Sequence, residues 1–193
     1  MSEATESAVE AKEKDRTVAL IIAFLALLLA LSEAGAKKAE HISTEKNIEA
    51  SDLFNFYQAK RVRSTVVETA SKILEAQKTA LADAKAEDAF EKQIGDFKTI
   101  VARFERDTKH PEDSLDSILE RAKAATEARE LSNRKLGHYE FGSGLAQIAI
   151  VLASAAIITG ISALVWLSIG VGVVGALLAA LGFAAPTMLP FIG

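Results

Sequence analysis

Apolar and polar positions divide this chain into two textures. From Phe141 to Gly193 there is no Asp, Glu, Lys or Arg, whereas a surface helix of a soluble protein needs a polar face. The run is too long for one bilayer crossing, which takes about 20 apolar residues, and it divides at Gly160-Ile161-Ser162. The pattern predicts membrane helices over 141–161 and 163–184, then a short tail over 185–193. A second apolar run, Val18 to Leu31, predicts a first membrane helix over 17–36, capped by Thr17 and preceded by a polar tail over 1–16. The same run has the length of a secretory h-region, and Ala34-Gly35-Ala36 matches a small-x-small cleavage site. Against cleavage, the tail is long and more acidic than basic.

The interval 37–140 has helical texture throughout. It holds one proline, Pro111, and two glycines, Gly95 and Gly137, among good helix formers. Phe90, Ile94, Phe97, Val101 and Phe104 follow a four-three alternation, the seam of a coiled coil. Val62, Val66, Ile73 and Ala80 give a looser stripe on the first arm, thickened by Val67, Leu74 and Leu81. The apolar-poor interval 82–88 predicts a turn, and 108–111 a break, after which Leu115, Ile118, Ala122 and Ala125 resume the seam. Arms of equal length would return both ends to one membrane surface. The expected fold is an all-α membrane protein: three transmembrane helices, with a long antiparallel helical (coiled-coil) hairpin between the first and second. A three-helix domain with Pro111 as its second corner is the alternative.

Small residues recur in steps of three and four within the membrane segments. They stand at Ala19, Ala23, Ala26 and Ala30; at Gly142, Ala146, Ala149, Ala153, Ala156 and Gly160; and at Ser168, Gly172, Gly175, Ala179 and Gly182. Lipid gives helices no hydrophobic reason to associate, so small-residue seams that let backbones approach are the usual route. Helix packing is therefore expected at these positions, with Phe90, Phe97 and Phe104 locking the hairpin. Whether the membrane seams meet within one chain or between chains is left open. Gly170-Val-Gly172-Val-Val-Gly175 matches a dinucleotide fingerprint in letters only, since it lies in an uncharged apolar helix with no acid after it.

Charge and composition narrow the function classes. The net charge is −4, and the charge-rich middle carries nearly balanced signs, which is not a nucleic-acid footprint. There is no Cys, and His41, His110 and His138 have no partners at ligand spacing, so no metal or cofactor is expected. No Ser/His/Asp or paired-carboxylate arrangement points to catalysis, and no ionisable residue lies deep in a membrane segment to couple transport. The densest group of distinctive side chains is Asp52, Phe56, Tyr57, Gln58, Lys60 and Arg63. It reads either as an inter-arm contact or as a partner-recognition patch.

That segment, with Ser51-Asp52 and Tyr57-Gln58-Ala59-Lys60 after a first membrane helix and Gln147-Ile148-Ala149 opening the closing pair, resembles a bacterial family. The family is a domain of unknown function numbered four-three-three-seven, made of uncharacterised membrane proteins of similar plan. The resemblance covers nearly the whole chain. It implies bacterial origin and the architecture above, and no mechanism. Members often carry basic residues at the turn between the last two helices; Gly160-Ile161-Ser162 stands there in this chain, which removes a topology cue.

Three crossings would put the tail and the 160–162 turn on one side and the hairpin on the other. Lys12, Lys14 and Arg16 favour a cytoplasmic tail, hence a periplasmic hairpin on the bacterial inner membrane; Lys37, Lys38, Lys46, Arg129, Arg134 and Lys135 on the hairpin side oppose it. The expected function is that of a non-enzymatic membrane scaffold, partnered by the lipid bilayer and by further copies of itself. An accessory subunit docking an envelope protein through the hairpin is the second reading. An α-helical pore former is the third.

Overall fold

The computed structural model describes the backbone of residues 2–79 and 84–188, with side chains from Asp15 onward except Ala84. Four α-helices carry almost all of it: α1 (Ser2–Lys78), α2 (Ala84–Glu105), α3 (Leu115–Thr159) and α4 (Ser162–Ala184). The all-α expectation holds, and α1, α3 and α4 each contain a stretch long and apolar enough to cross a membrane. α1 runs for 77 residues because its sequence holds no proline and a single glycine, Gly35.

The connections are set by local chemistry. Of the apolar-poor interval expected to turn, Ala84 to Asp88 already belong to α2, while Ala82 and Asp83 lie outside the described residues. Ala80 and Leu81 of the expected stripe also lie outside them, as does the C-terminal tail from Leu189. After α2, the Asp107 carboxylate accepts the backbone N–H groups of Lys109 (2.8 Å) and His110 (3.1 Å). Those bonds, His110 first, hold its pKa below the ordinary carboxylate value. Pro111 opens a single 3-10 turn, Pro111–Asp113, in keeping with its fixed φ and the extended residue before it. Ser114 caps α3, its hydroxyl accepting the N–H of Ser117 at 3.3 Å. Between α3 and α4 the chain reverses at Gly160, whose φ of +71° is a left-handed conformation that other residues adopt at a cost.

The chain forms two compact units. The first comprises Met1–Thr44 and Arg129–Gly193, and the interior faces of its α3 and α4 membrane segments are made of small residues. Ala146, Ala149, Ala153 and Ala156 of α3 are buried, as are Ser168, Gly172, Gly175 and Gly182 of α4. Its large apolar side chains point outward, among them Phe24, Leu31, Val151, Ile158 and Trp166. A water-soluble domain distributes size the other way.

The second unit comprises Glu45–Ala128. Its core joins Leu53 of α1 to Ile118 and Ala122 of α3, with Tyr57 packed on them. Farther along α1, α2 lies alongside through ion pairs: Lys78 with Glu91 (3.1 Å) and Glu87 (3.6 Å), and Glu75 with Lys98 (2.8 Å). Hydrogen bonding to Glu91 is the main cause that raises the Lys78 pKa. Ile94 is buried, and Phe90, Phe97, Val101 and Phe104 are half-buried on the same face of α2.

Candidate functional site

In the first unit the seams of α3 and α4 meet each other. A Cβ on Gly175 would stand 3.0 Å from the carbonyl oxygen of Gly142, and a Cβ on Gly142 would stand 3.0 Å from that of Gly175. Two turns away the buried Ser168 hydroxyl donates to the Ala149 carbonyl at 2.8 Å. Gly172 leaves a hollow that Leu25 of α1 fills, 2.5 Å from where a Cβ would be. Gly142, Ala149, Gly172 and Gly175 thus lie against neighbouring helices of the same chain, and Ala153 is buried on the same face of α3.

α1 departs from the expectation. Ala23, Ala26 and Ala30 are exposed, and the inward positions are Val18, Leu25, Ser32 and Ala39, one every seven residues. At Leu25 the reason is complementarity: Gly172 of α4 supplies the hollow, and a larger α1 side chain enters it. Gly160 is exposed as well, and its role is the reversal between helices.

Where α1 meets the polar end of this unit, Gly35 lies under the Tyr139 ring, with no room for a Cβ. Ser43 donates to Asn133 at 2.5 Å. His138 is fully buried against Gly182; its Nδ1–H donates to the Arg134 carbonyl at 2.8 Å, and Nε2 has no hydrogen-bond partner among the described residues. Beside it a groove of about 390 Å³ runs between α1, α3 and α4, lined by Lys38, Lys135, Ser132, Tyr139 and Phe183 among others.

In the second unit the inward face of α1 repeats in steps of three and four: Ala50, Leu53, Tyr57, Lys60, Ser64, Val67, Ser71, Leu74 and Lys78 are all buried or half-buried. The face is poor in large apolar residues, and the Ser64 and Ser71 hydroxyls are buried without a hydrogen-bond partner among the described residues. Val62, Val66 and Ile73, expected inside, are exposed by 62%, 63% and 53%. With Thr69 and Ala76 they form a second four-three row on the outer side of the helix.

The distinctive cluster divides between these faces. Tyr57 joins the core, and Lys60 sits over the Phe56 ring (5.7 Å to its centroid) while donating to the Asp113 carbonyl. Asp52 and Phe56 line a shallow groove with Arg121; Gln58 and Arg63 are exposed. Nothing in the sequence pattern alone separated the inward Tyr57 from the outward Phe56. Among the described residues no three His, Asp or Glu side chains are grouped to hold a metal ion.

No curated protein and no solved structure matches the chain. The architecture has a counterpart among family models, one of which matches residues 14–185. By that match the chain belongs to the family described as Domain of unknown function (DUF4337).

Proposed function

We propose that this protein is a non-enzymatic membrane scaffold, held in a bacterial inner membrane by three helices, that self-associates through the outer row of α1. Membrane insertion is supported by the inverted first unit, with small residues inside and large apolar ones outside, as expected of helices that associate in lipid. The observation that carries self-association is the exposed row Val62, Val66, Thr69, Ile73 and Ala76. Its four-three spacing is that of a coiled-coil seam, with Val66 and Ile73 at a-type positions. The small-residue seams of α3 and α4 are occupied within the chain, so they leave this row as the association surface. Gln147, exposed within an otherwise apolar segment, offers a second copy a polar contact.

The partner is a second copy. Copies inserted in one bilayer present α1 in the same direction, which is the parallel arrangement. In parallel register the flanking residues face one another as Gln58 with Arg63, Thr65 with Ala70 and Lys72 with Gln77, so no two like charges are opposed. Lys72 is further engaged by Glu68 at 2.7 Å, a hydrogen bond that raises the Lys72 pKa and lowers that of Glu68.

The chain lacks cysteine, so single cysteines report proximity directly. Val66→Cys is expected to form a disulfide-linked dimer in membranes, and Lys92→Cys, exposed on α2, is not. In mild detergent, light scattering is expected to give a dimer that Val66→Glu/Ile73→Glu reduces to a monomer. A wild-type monomer at all concentrations, or a dimer untouched by those substitutions, would refute the proposal. A heterologous envelope partner would appear instead as a stoichiometric second protein, lost with the same pair.

A further inference from the structure

We infer that the groove beside Lys38 and Lys135 is a binding site for one phospholipid with an anionic phosphate headgroup. Two lysines line it, Lys38 exposed and Lys135 half-buried, and no Asp or Glu does. Neither lysine makes an ion pair or a hydrogen bond with any described residue. Two lysines on the wall of one concavity of about 390 Å³, with no carboxylate beside them in its lining, attract an anion. Tyr139 adds a phenolic hydroxyl with no partner among the described residues, fixed in place because its ring rests on Gly35.

The opposite character of the remaining wall selects a lipid over a free anion. Phe183, exposed by 82%, stands at one side with Ala34 and Ile42. Inorganic phosphate has no use for such a surface, whereas a glyceride backbone and the first methylenes of an acyl chain cover it. The groove also lies where charge resumes: Lys37 and Lys38 follow the apolar part of α1, and Lys135 precedes that of α3. In a membrane-inserted protein this is the depth of the headgroups, where a basic groove between helices meets lipid phosphates.

The inference rests on the membrane insertion proposed above and not on self-association. The probe is phosphatidylglycerol against phosphatidylcholine, offered to the full-length protein in detergent and read by native mass spectrometry. One phosphatidylglycerol is expected to be retained in preference to phosphatidylcholine. Lys38→Gln/Lys135→Gln is expected to reduce that preference roughly 25-fold, at about 1 kcal/mol for each lysine. Tyr139→Phe should weaken it less, and Lys37→Gln/Arg134→Gln, which removes the same charge outside the groove, should weaken it by clearly less than the Lys38/Lys135 pair.

Equal retention of the two lipids by the wild type would overturn the inference, as would an equal loss in the Lys37/Arg134 pair. Displacement of the lipid by millimolar inorganic phosphate would identify a free-anion site and overturn it too. Circular dichroism of each variant establishes that the fold is kept. A protein that leaves the membrane fraction in alkaline carbonate defeats insertion itself; one that stays there without lipid preference defeats the groove alone.

Discussion

At the scale of single residues, the contrast between two glycines shows what the packing demands. Gly95 lies inside α2 with nothing within 4 Å of a Cβ, so it contributes only the entropy cost of a helical glycine. Gly175 lies inside α4 with the Gly142 carbonyl 3.0 Å and the Leu145 Cβ 3.1 Å from where its own Cβ would be. A backbone oxygen cannot swing aside as a side-chain end does. Gly95→Ala is therefore expected to stabilise the protein by about 0.5–1 kcal/mol. Gly175→Leu should destabilise it by about 1–3 kcal/mol, because the helices must separate to admit the side chain. Thermal unfolding of the two variants in the same detergent decides it: the midpoints should move in opposite directions. A Gly175→Leu protein that melts with the wild type would mean that α3 and α4 do not approach as closely as described.

At the scale of helices, apolar periodicity and burial periodicity are different signals, and α1 separates them. Phe90, Ile94, Phe97, Val101 and Phe104 were legible as one face of α2 because the apolar row and the covered row coincide there. On α1 the apolar row Val62, Val66 and Ile73 is exposed, while the covered row carries Ser64, Ser71 and two lysines. Hydrophobic pattern marks where apolar residues stand, and it cannot say which of two rows a particular neighbour covers. The same holds for Ala23, Ala26 and Ala30, whose spacing matched the small-residue rule although Leu25 faces inward. Three apolar stretches and the Pro111 interruption were legible because length, charge exclusion and a missing N–H act locally. The groove at Lys38 and Lys135 was not, since its residues come from three helices far apart in sequence. A covered row of this composition has a measurable weakness. Ser71 buries a hydroxyl without a hydrogen-bond partner among the described residues, and such a group costs about 1–3 kcal/mol in desolvation. Ser71→Ala removes it with little loss of volume, so it should raise the unfolding midpoint, by about 1 kcal/mol in stability. A lower midpoint would show that the hydroxyl is satisfied.

At the scale of the whole molecule, an odd number of crossings constrains what no single contact can. If α1, α3 and α4 each cross once, a residue on α2 and a residue in the turn before α4 must face opposite compartments. The balance of basic residues leaves the direction finely set: Lys12, Lys14 and Arg16 stand before the first apolar stretch, Lys37 and Lys38 follow it, and Arg134 and Lys135 precede the second. Long polar segments translocate largely regardless of their charge, so the short tail decides and the charged unit is expected outside the cytoplasm. The absence of cysteine makes both compartments addressable. Asp88→Cys, exposed on α2, is expected to react with a membrane-impermeant maleimide in spheroplasts, and Ile161→Cys, half exposed in the turn, only after lysis. The reverse pattern would keep three crossings and place the charged unit, with its self-association row, in the cytoplasm. Equal labelling of both positions before lysis would remove the odd number of crossings.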